Sequence, residues 1–259
     1  MIRELLIPDV CLQMPKTAPA GNKTAKAAVP ICGSPHEKMA AKTTEPPPAI
    51  RTHHPAWLLA GFWVCFAISI AVVLRRLSAL ANPSQSSRPG MANMDATFAS
   101  HPLLTMAHIV PAAIFVVLAA FVLLGRKRRA WLEQLFFAFG AVTGLTAYAM
   151  NAYAIGGWIE RSAVLVFNSL FLFSLARAYL FRMAGNSASQ RRWMVRAVGV
   201  LLGIATTRPV MGVFFATSGL THLQPRQFFG IAFWIGFSIN VLITELWLRS
   251  ATRARIRLS

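Results

Sequence analysis

Cysteine is scarce in this sequence, and no cysteine belongs to a recognisable site. Cys11 and Cys32 lie in a polar N-terminal segment, and Cys65 lies inside an apolar stretch. Neither a disulfide framework nor a Cys-x-x-Cys metal motif is present. The sequence also lacks a Ser-His-Asp arrangement, a His-x-x-x-His pair and an acidic metal-binding box. It therefore offers no candidate catalytic residue and no candidate metal ligand.

Charged residues are also few, at 13% of the chain, whereas 56% of the residues are hydrophobic. This balance is too apolar for an ordinary soluble domain, so the sequence predicts an all-α integral membrane helical bundle. The net charge of +18 could suggest a nucleic-acid partner. However, Lys and Arg gather beside the apolar stretches and the aromatic residues lie within them, which favours a lipid bilayer and no nucleic acid.

The first 52 residues contain no sustained apolar period and are rich in Ala, Pro, Lys and Thr. This composition predicts a disordered cytoplasmic tail over residues 1–52. The short run Leu5-Leu6-Ile7 stops at Pro8, so it is too short for the apolar core of a secretory signal peptide. Met39 is an alternative translation start.

Six apolar stretches follow, each long enough to cross a hydrocarbon core about 30 Å thick. The predicted spans are residues 55–74, 102–124, 131–155, 162–181, 193–216 and 228–248. They form a transmembrane domain over residues 53–250, which is followed by a basic cytoplasmic tail at 251–259. Small residues at Gly140, Gly144, Ala147, Gly199 and Gly203 are compatible with close packing between the third and fifth helices, and ordinary packing of membrane helices is the favoured alternative.

The loop charges predict the orientation of these helices. Basic residues concentrate after the second, fourth and sixth spans, and positively charged loops stay in the cytoplasm. Those after the second and fourth spans are Arg126, Lys127, Arg128, Arg129, Arg182, Arg191 and Arg192. We therefore predict a bacterial inner-membrane protein with both termini cytoplasmic and the loop around residues 82–100 outside, although Arg75 and Arg76 run against this pattern.

Arg208 lies deep inside the fifth apolar stretch, roughly 22 Å beyond Trp193 at ~1.5 Å per helical residue. A central arginine costs about 2.5 to 3.5 kcal/mol to insert, so such a side chain faces a partner, a cavity or the far interface. Two interpretations stay open. Arg208 either extends to the far headgroups or belongs to a polar pocket.

The polar residues inside the spans fall into two layers. The cytoplasmic layer predicts structural ion pairing by Glu133, Arg177, Arg196 and Glu245. The outer layer predicts a pocket formed by His108, Arg208, Asn168, Asn151 and Tyr148. His101, Tyr153 and His222 also belong to the outer half. For each of these residues, a plain packing role remains open beside the functional one.

The stretch Gln190-Arg-Arg-Trp-Met-Val-Arg196, followed after eleven intervening residues by Arg208, carries a family resemblance. With Arg177-Ala-Tyr179 and His108-Ile109, it resembles the DUF2306 family of bacterial multi-pass membrane proteins, a domain of unknown function. The resemblance covers roughly residues 98–249 and implies a membrane fold without implying a reaction.

The chain departs from that family at two places. Family members usually carry His where this chain has Gln190, and a His-Arg-x-x-Gly-Arg pattern where this chain has Arg129-Ala-Trp-Leu-Glu-Gln134. The resemblance would place a second histidine, for paired axial ligation of a haem, within these two patterns. This chain has no histidine there.

Several function classes remain compatible with these observations. The leading hypothesis is a binding, sensing or scaffold protein with a polar pocket in the outer half of the bundle. The alternatives are a small-solute transporter, in which His108 and Arg208 line the path, and a redox protein that holds a b-type haem or a quinone. A membrane enzyme that acts on a lipid or quinone is a further alternative. The sequence does not select a ligand, a cofactor or an oligomeric state.

Overall fold

A computed structural model describes residues 56–81, 96, 98–125, 129–222 and 225–256. The regular structure in these ranges is entirely helical, without a strand, and the prediction of an all-α membrane bundle is confirmed. The predicted tail over residues 1–52 and most of the predicted outer loop lie outside the described residues.

Seven helices are present in the described ranges. They are α1 (Ala56–Ala81), α2 (Pro102–Leu124), α3 (Ala130–Asn151), α4 (Gly157–Met183), α5 (Ser187–Leu201), α6 (Gly203–Thr221) and α7 (Pro225–Ile256). Helices α5 and α6 are nearly continuous, because the Leu202 N–H still donates to the Val198 carbonyl at 2.9 Å. The described part of the chain therefore makes six long helical passes.

Five of these passes are long and apolar enough to cross a membrane. They are Ala56–Ala81, Pro102–Leu124, Gly157–Met183, Ser187–Leu220 and Gln227–Arg253. The remaining pass, α3, carries Glu133 and Gln134 near its start and Asn151 at its end, which reduces its hydropathy. It nevertheless packs against both α2 and α4, so it lies within the same bundle.

Several helices extend beyond the apolar stretches that predicted them. Helix α1 continues past residue 74 to Ala81 and includes Arg75 and Arg76, and α7 continues through much of the predicted basic tail. Helix α4 begins at Gly157 instead of residue 162, so Glu160 belongs to the helix. An apolar stretch in the sequence marks only the part of a helix that contacts lipid. Backbone hydrogen bonding continues beyond that stretch, because arginine is a good helix former.

Helix α4 occupies the centre, because it packs against α3, α5 and α7. Phe115 of α2, Phe136 of α3 and Phe171 of α4 form an aromatic core, with ring centroids 4.5 Å apart for Phe115 and Phe136 and 5.5 Å apart for Phe115 and Phe171. Helix α1 is peripheral. It packs on α2 and α6, and its buried residues are limited to Ser69 and Ala79.

The glycines expected to join the third and fifth helices contact other neighbours. A Cβ at Gly140 would meet Phe115 and Leu175, and one at Gly199 would meet Thr244. Gly203 likewise faces Phe237 of α7. The expectation of direct packing between α3 and α5 is therefore wrong, because α4 packs against both of them and these glycines serve other interfaces.

Gly236 brings α7 into direct contact with the backbone of α6. A Cβ at this position would lie 2.7 Å from the Thr207 backbone nitrogen and 2.8 Å from its Cα. At Gly212, by contrast, a Cβ would meet nothing within 4 Å. The two positions form a matched pair, because both are glycines inside helices.

We predict that Gly236→Ala lowers the free energy of unfolding by about 1 to 3 kcal/mol, because the backbone of α6 cannot rotate away. Gly212→Ala should leave stability unchanged or raise it by up to roughly 1 kcal/mol through helix propensity. Thermal unfolding of both variants in detergent measures the difference. Equal melting temperatures would contradict the close approach of α6 and α7.

Candidate functional site

A cavity of about 210 Å³ lies at the end of the bundle where α4 begins. We call it the Glu160 cavity, and this end of the bundle the Glu160 end. Its lining comes from every helix of the bundle, including the end of α1. The polar side chains in the lining include Arg76, Thr105, His108, Thr143, Asn151, Tyr153, Glu160 and Asn168. Aromatic rings from α4 and α7 form much of the opposite wall.

Glu160 is buried, with 8% of its surface exposed, and the turn before α4 holds its carboxylate. Its Oε2 accepts the Gly156 backbone N–H at 2.6 Å, and the Ile155 backbone N–H contributes a second hydrogen bond. The bond to Gly156 resembles the return bond of a capping box, in which a carboxylate near a helix start accepts the N-cap N–H. Gly157, at a φ of 64°, makes this turn possible.

Sequence reasoning missed Glu160, because the predicted fourth span began two residues after it. One signal was available. Glu160 is one of only eight acidic residues in the chain, and it follows the pair Gly156-Gly157 closely. A glycine pair that ends one helix, followed by an acid, is typical of a helix N-terminus, where backbone N–H groups lack partners.

His108 lies in the lining, with its Nδ1 3.0 Å from the Thr146 hydroxyl. The single proton of that hydroxyl also has the backbone carbonyls of Val142 and Thr143 within reach, at 2.7 Å and 3.1 Å. When that proton is on a carbonyl, Nδ1 of His108 carries a hydrogen and donates it to the Thr146 oxygen. In this tautomer, Nε2 of the neutral ring is left as an acceptor.

The two asparagines of the lining differ in how their amides are used. Asn168 donates from Nδ2 to the Gly144 carbonyl at 2.9 Å and so ties α4 to α3. The Oδ1 of Asn151 is buried and has no hydrogen-bond partner within the described part of the chain. Leaving such an acceptor unsatisfied costs about 1 to 3 kcal/mol, which makes Asn151 a polar group available to a bound molecule.

Arg208 lies beside this cavity and is not part of its lining. Its guanidinium interacts electrostatically with the Glu160 carboxylate, and Arg75 and Arg76 contribute repulsion of like charge. The structure therefore places His108 and Asn168 in one cavity, while Arg208 acts on that cavity through Glu160. The Nε atom of Arg208 is buried without a hydrogen-bond partner among the described residues.

The remaining residues of the expected outer layer lie around this site. The Tyr148 hydroxyl is 2.7 Å from the Ser169 hydroxyl, and Tyr148 is not in the lining. His101 stacks on Tyr153, with ring centroids 3.8 Å apart. His222 ends α6 at a positive φ of 53°. Paired histidine ligation of a haem in the Glu160 cavity would need a second ring, and in the described lining His108 is the sole histidine.

At the opposite end of the bundle, which we call the Glu245 end, arginine pairs with carboxylate. Arg196 of α5 makes two hydrogen bonds to Glu245 of α7, Nε to Oε2 at 3.0 Å and Nη2 to Oε1 at 3.1 Å. Glu133 lies 3.6 Å from Arg182 and accepts the Gln190 amide at 2.9 Å. Glu133 therefore joins the start of α3 to the end of α4 and the start of α5.

Arg177, expected in the same layer, contacts aromatic rings. Its guanidinium carbon lies 5.1 Å from the Phe181 ring centroid and 5.5 Å from that of Trp193, and its Nε has no hydrogen-bond partner among the described residues. Such cation–π contacts stabilise an arginine without a carboxylate. Arg182 is the ion-pairing residue that sequence reasoning placed in a loop.

Comparison with protein-family models, with curated proteins and with solved structures gives no match for this chain. Within the described residues there is also no group of three or more His, Cys, Asp or Glu side chains that could hold a metal ion. Function is therefore inferred from the side chains of the Glu160 cavity.

We predict that a double-mutant cycle on Arg196→Leu and Glu245→Leu gives a coupling energy of about 1 to 3 kcal/mol, since both bonds are charge-assisted. A cycle on Arg249→Leu and the same Glu245 is the control, because that exposed i,i+4 contact is single and measures 3.5 Å. Its coupling should stay near 0.5 kcal/mol or below. Unfolding in detergent measures both, and equal couplings would contradict a dominant pair between α5 and α7.

Proposed function

We propose that this multi-pass membrane protein binds a small amphiphilic molecule in the Glu160 cavity, and that its role is binding or sensing. The observation that supports this most directly is the buried Asn151 Oδ1, which has no hydrogen-bond partner in the described part of the protein. Buried polar atoms are normally satisfied, and an exception inside a cavity is explained by a ligand that supplies the missing bond.

The other polar groups of the cavity select the same ligand chemistry. Glu160 offers carboxylate oxygens, and His108 offers Nε2 as an acceptor in the tautomer whose Nδ1 donates to Thr146. A ligand group that donates hydrogen bonds, such as an amine or a hydroxyl, complements these three acceptors. Arg161 and Arg208 both attract the Glu160 carboxylate, so the ligand need not be a cation.

The apolar wall requires the rest of the ligand to be apolar. Phe167 stacks on Phe237 with centroids 5.1 Å apart, and Phe233 lies 5.8 Å from Phe237. All three rings line the cavity. A flat or aliphatic body against these rings, with its donor group towards Glu160 and Asn151, would use both surfaces of the cavity.

Three compounds with one phenyl ring test this proposal: phenethylamine, 2-phenylethanol and 3-phenylpropionate. We predict that the amine and the alcohol raise the melting temperature of the purified protein and that the carboxylate does not, because the cavity presents acceptors. At about 100 times the dissociation constant, binding stabilises by roughly 2.7 kcal/mol. Absence of any shift, or a larger shift with the carboxylate, would refute the proposal.

Two asparagine variants make a matched control for that experiment. Asn151→Leu should stabilise the ligand-free protein, because it removes an unsatisfied acceptor, and should abolish the shift. Asn240→Leu should destabilise the protein, because Asn240 donates to the Thr206 hydroxyl, and should keep the shift. Destabilisation by Asn151→Leu would show that its amide has a structural role.

We further propose the inner membrane of a bacterium as the location, with both termini cytoplasmic. The contacts of four arginines support this orientation, since Arg182, Arg191, Arg196 and Arg249 all meet partners at the Glu245 end. A basic end remains in the cytoplasm. The resemblance to the DUF2306 family agrees with a bacterial membrane.

Reporter fusions test the orientation. A reporter active only in the periplasm should give signal after Pro89 and Leu220 and none after Arg128 and Ser187. A reporter active only in the cytoplasm serves as the control and should give the opposite pattern. Periplasmic signal after Arg128 would place the Glu245 end outside and overturn the assignment.

A further inference from the structure

A second cavity, of about 320 Å³, lies at the Glu245 end. We call it the Arg191 cavity. It is bounded by the first half of α1, the end of α2, and helices α5, α6 and α7, so it is separate from the Glu160 cavity. Most of its lining is aliphatic or aromatic, and Trp57 and Trp247 both belong to it. Tryptophans at a helix end are typical of the level of the lipid headgroups.

The Arg191 cavity extends along α1, and we call this extended space the slot. Along α1 its lining extends from Trp57 to Cys65, eight residues that span about 12 Å at ~1.5 Å per residue. Between them, a Cβ on Gly61 would meet nothing within 4 Å, so this part of α1 borders open space. Because α1 packs mainly on α2 and α6, a ligand enters the slot without displacing the central helices.

The deep end of the slot carries polar groups that bond to one another or to backbone. Asn240 donates to the Thr206 hydroxyl and to the Gly236 carbonyl, and the Cys65 sulfur lies 3.9 Å from the Thr206 oxygen. These groups bond to each other across α1, α6 and α7. The deep end therefore places little demand for polar groups on an occupant, and the slot suits a hydrocarbon chain.

Arg191 supplies a positive charge to the same cavity. Its Nη2 donates to the Leu123 carbonyl at the end of α2, at 2.8 Å, which holds the guanidinium near the Trp57 end of the slot. Arg191 is the charged residue of the lining. Basic pockets between helices at the membrane surface bind phosphate headgroups.

We propose that the Arg191 cavity holds one acyl chain of an anionic phospholipid, with its phosphate at Arg191. The apolar slot accepts a chain, and Arg191 near its Trp57 end selects a headgroup of net negative charge. A free phosphate would leave the apolar slot empty. A lipid of net zero charge would fill the slot and gain less from the positive charge of Arg191.

Native mass spectrometry of the full chain in detergent tests this site. The probes are phosphatidylglycerol and phosphatidylcholine with the same acyl chains, and inorganic phosphate. We expect one phosphatidylglycerol to bind saturably, and phosphatidylcholine to bind about fivefold more weakly. Arg191→Gln should remove most of this preference. Inorganic phosphate at equal concentration should not compete.

A matched pair of glycine variants tests the slot itself. Gly61→Leu places a side chain in the cavity and should weaken phosphatidylglycerol binding by about tenfold, since an acyl chain and the leucine cannot share the space. Gly212→Leu is the control, because Gly212 also faces open space and is not in the lining. It should bind the lipid as the parent protein does.

Three results would overturn the proposal. Equal binding of both lipids would show that Arg191 selects no charge, and undiminished binding by Gly61→Leu would show that no chain enters the slot. Competition by inorganic phosphate would reveal an anion site without an acyl chain. Melting temperatures of the variants separate these outcomes from a loss of folding.

Discussion

The constraint on which the rest of this structure depends is the cost of holding charge among apolar helices. Each ionisable side chain that enters the bundle must meet a partner, because water is not there to solvate it. Glu160 meets backbone N–H groups at a helix start, and Glu245 meets a guanidinium that reaches it with two bonds. Arg177 meets the faces of two aromatic rings. These pairings join the start of α4 to the turn before it, and α5 to α7.

The two ends of the bundle satisfy this constraint differently. At the Glu245 end, carboxylates pair with side chains, so Glu133 and Glu245 tie α3, α4, α5 and α7 together. At the Glu160 end, the carboxylate is held by backbone, and its neighbours Asn151 and His108 keep capacity to accept hydrogen bonds. The two ends therefore differ in whether their buried carboxylates are held by side chains or by backbone N–H groups.

Helix α1 has a separate role, because it is bound more loosely than the central helices. Its first half borders the Arg191 cavity and its last turns bring Arg76 to the Glu160 cavity, where the guanidinium lies 4.0 Å from the Phe98 ring centroid. The arginines that seemed misplaced after the first apolar stretch are thus part of the Glu160 end. One peripheral helix contributes to both cavities, so the occupant of either one alters the contacts of the same element.

The sequence by itself determined the membrane bundle, its six passes and the separation of polar residues into two layers, because hydropathy and charge are properties of local composition. It could indicate that His108 and Asn168 lie at similar depth, since the rise of a helix is constant. Only the tertiary structure decided which helices adjoin. In the tertiary structure Glu133 contacts Arg182 and Gln190, Gly203 faces α7, and Glu160 lines a cavity. Depth follows from counting residues along one helix, whereas the lateral neighbour of a residue depends on how all the helices pack together.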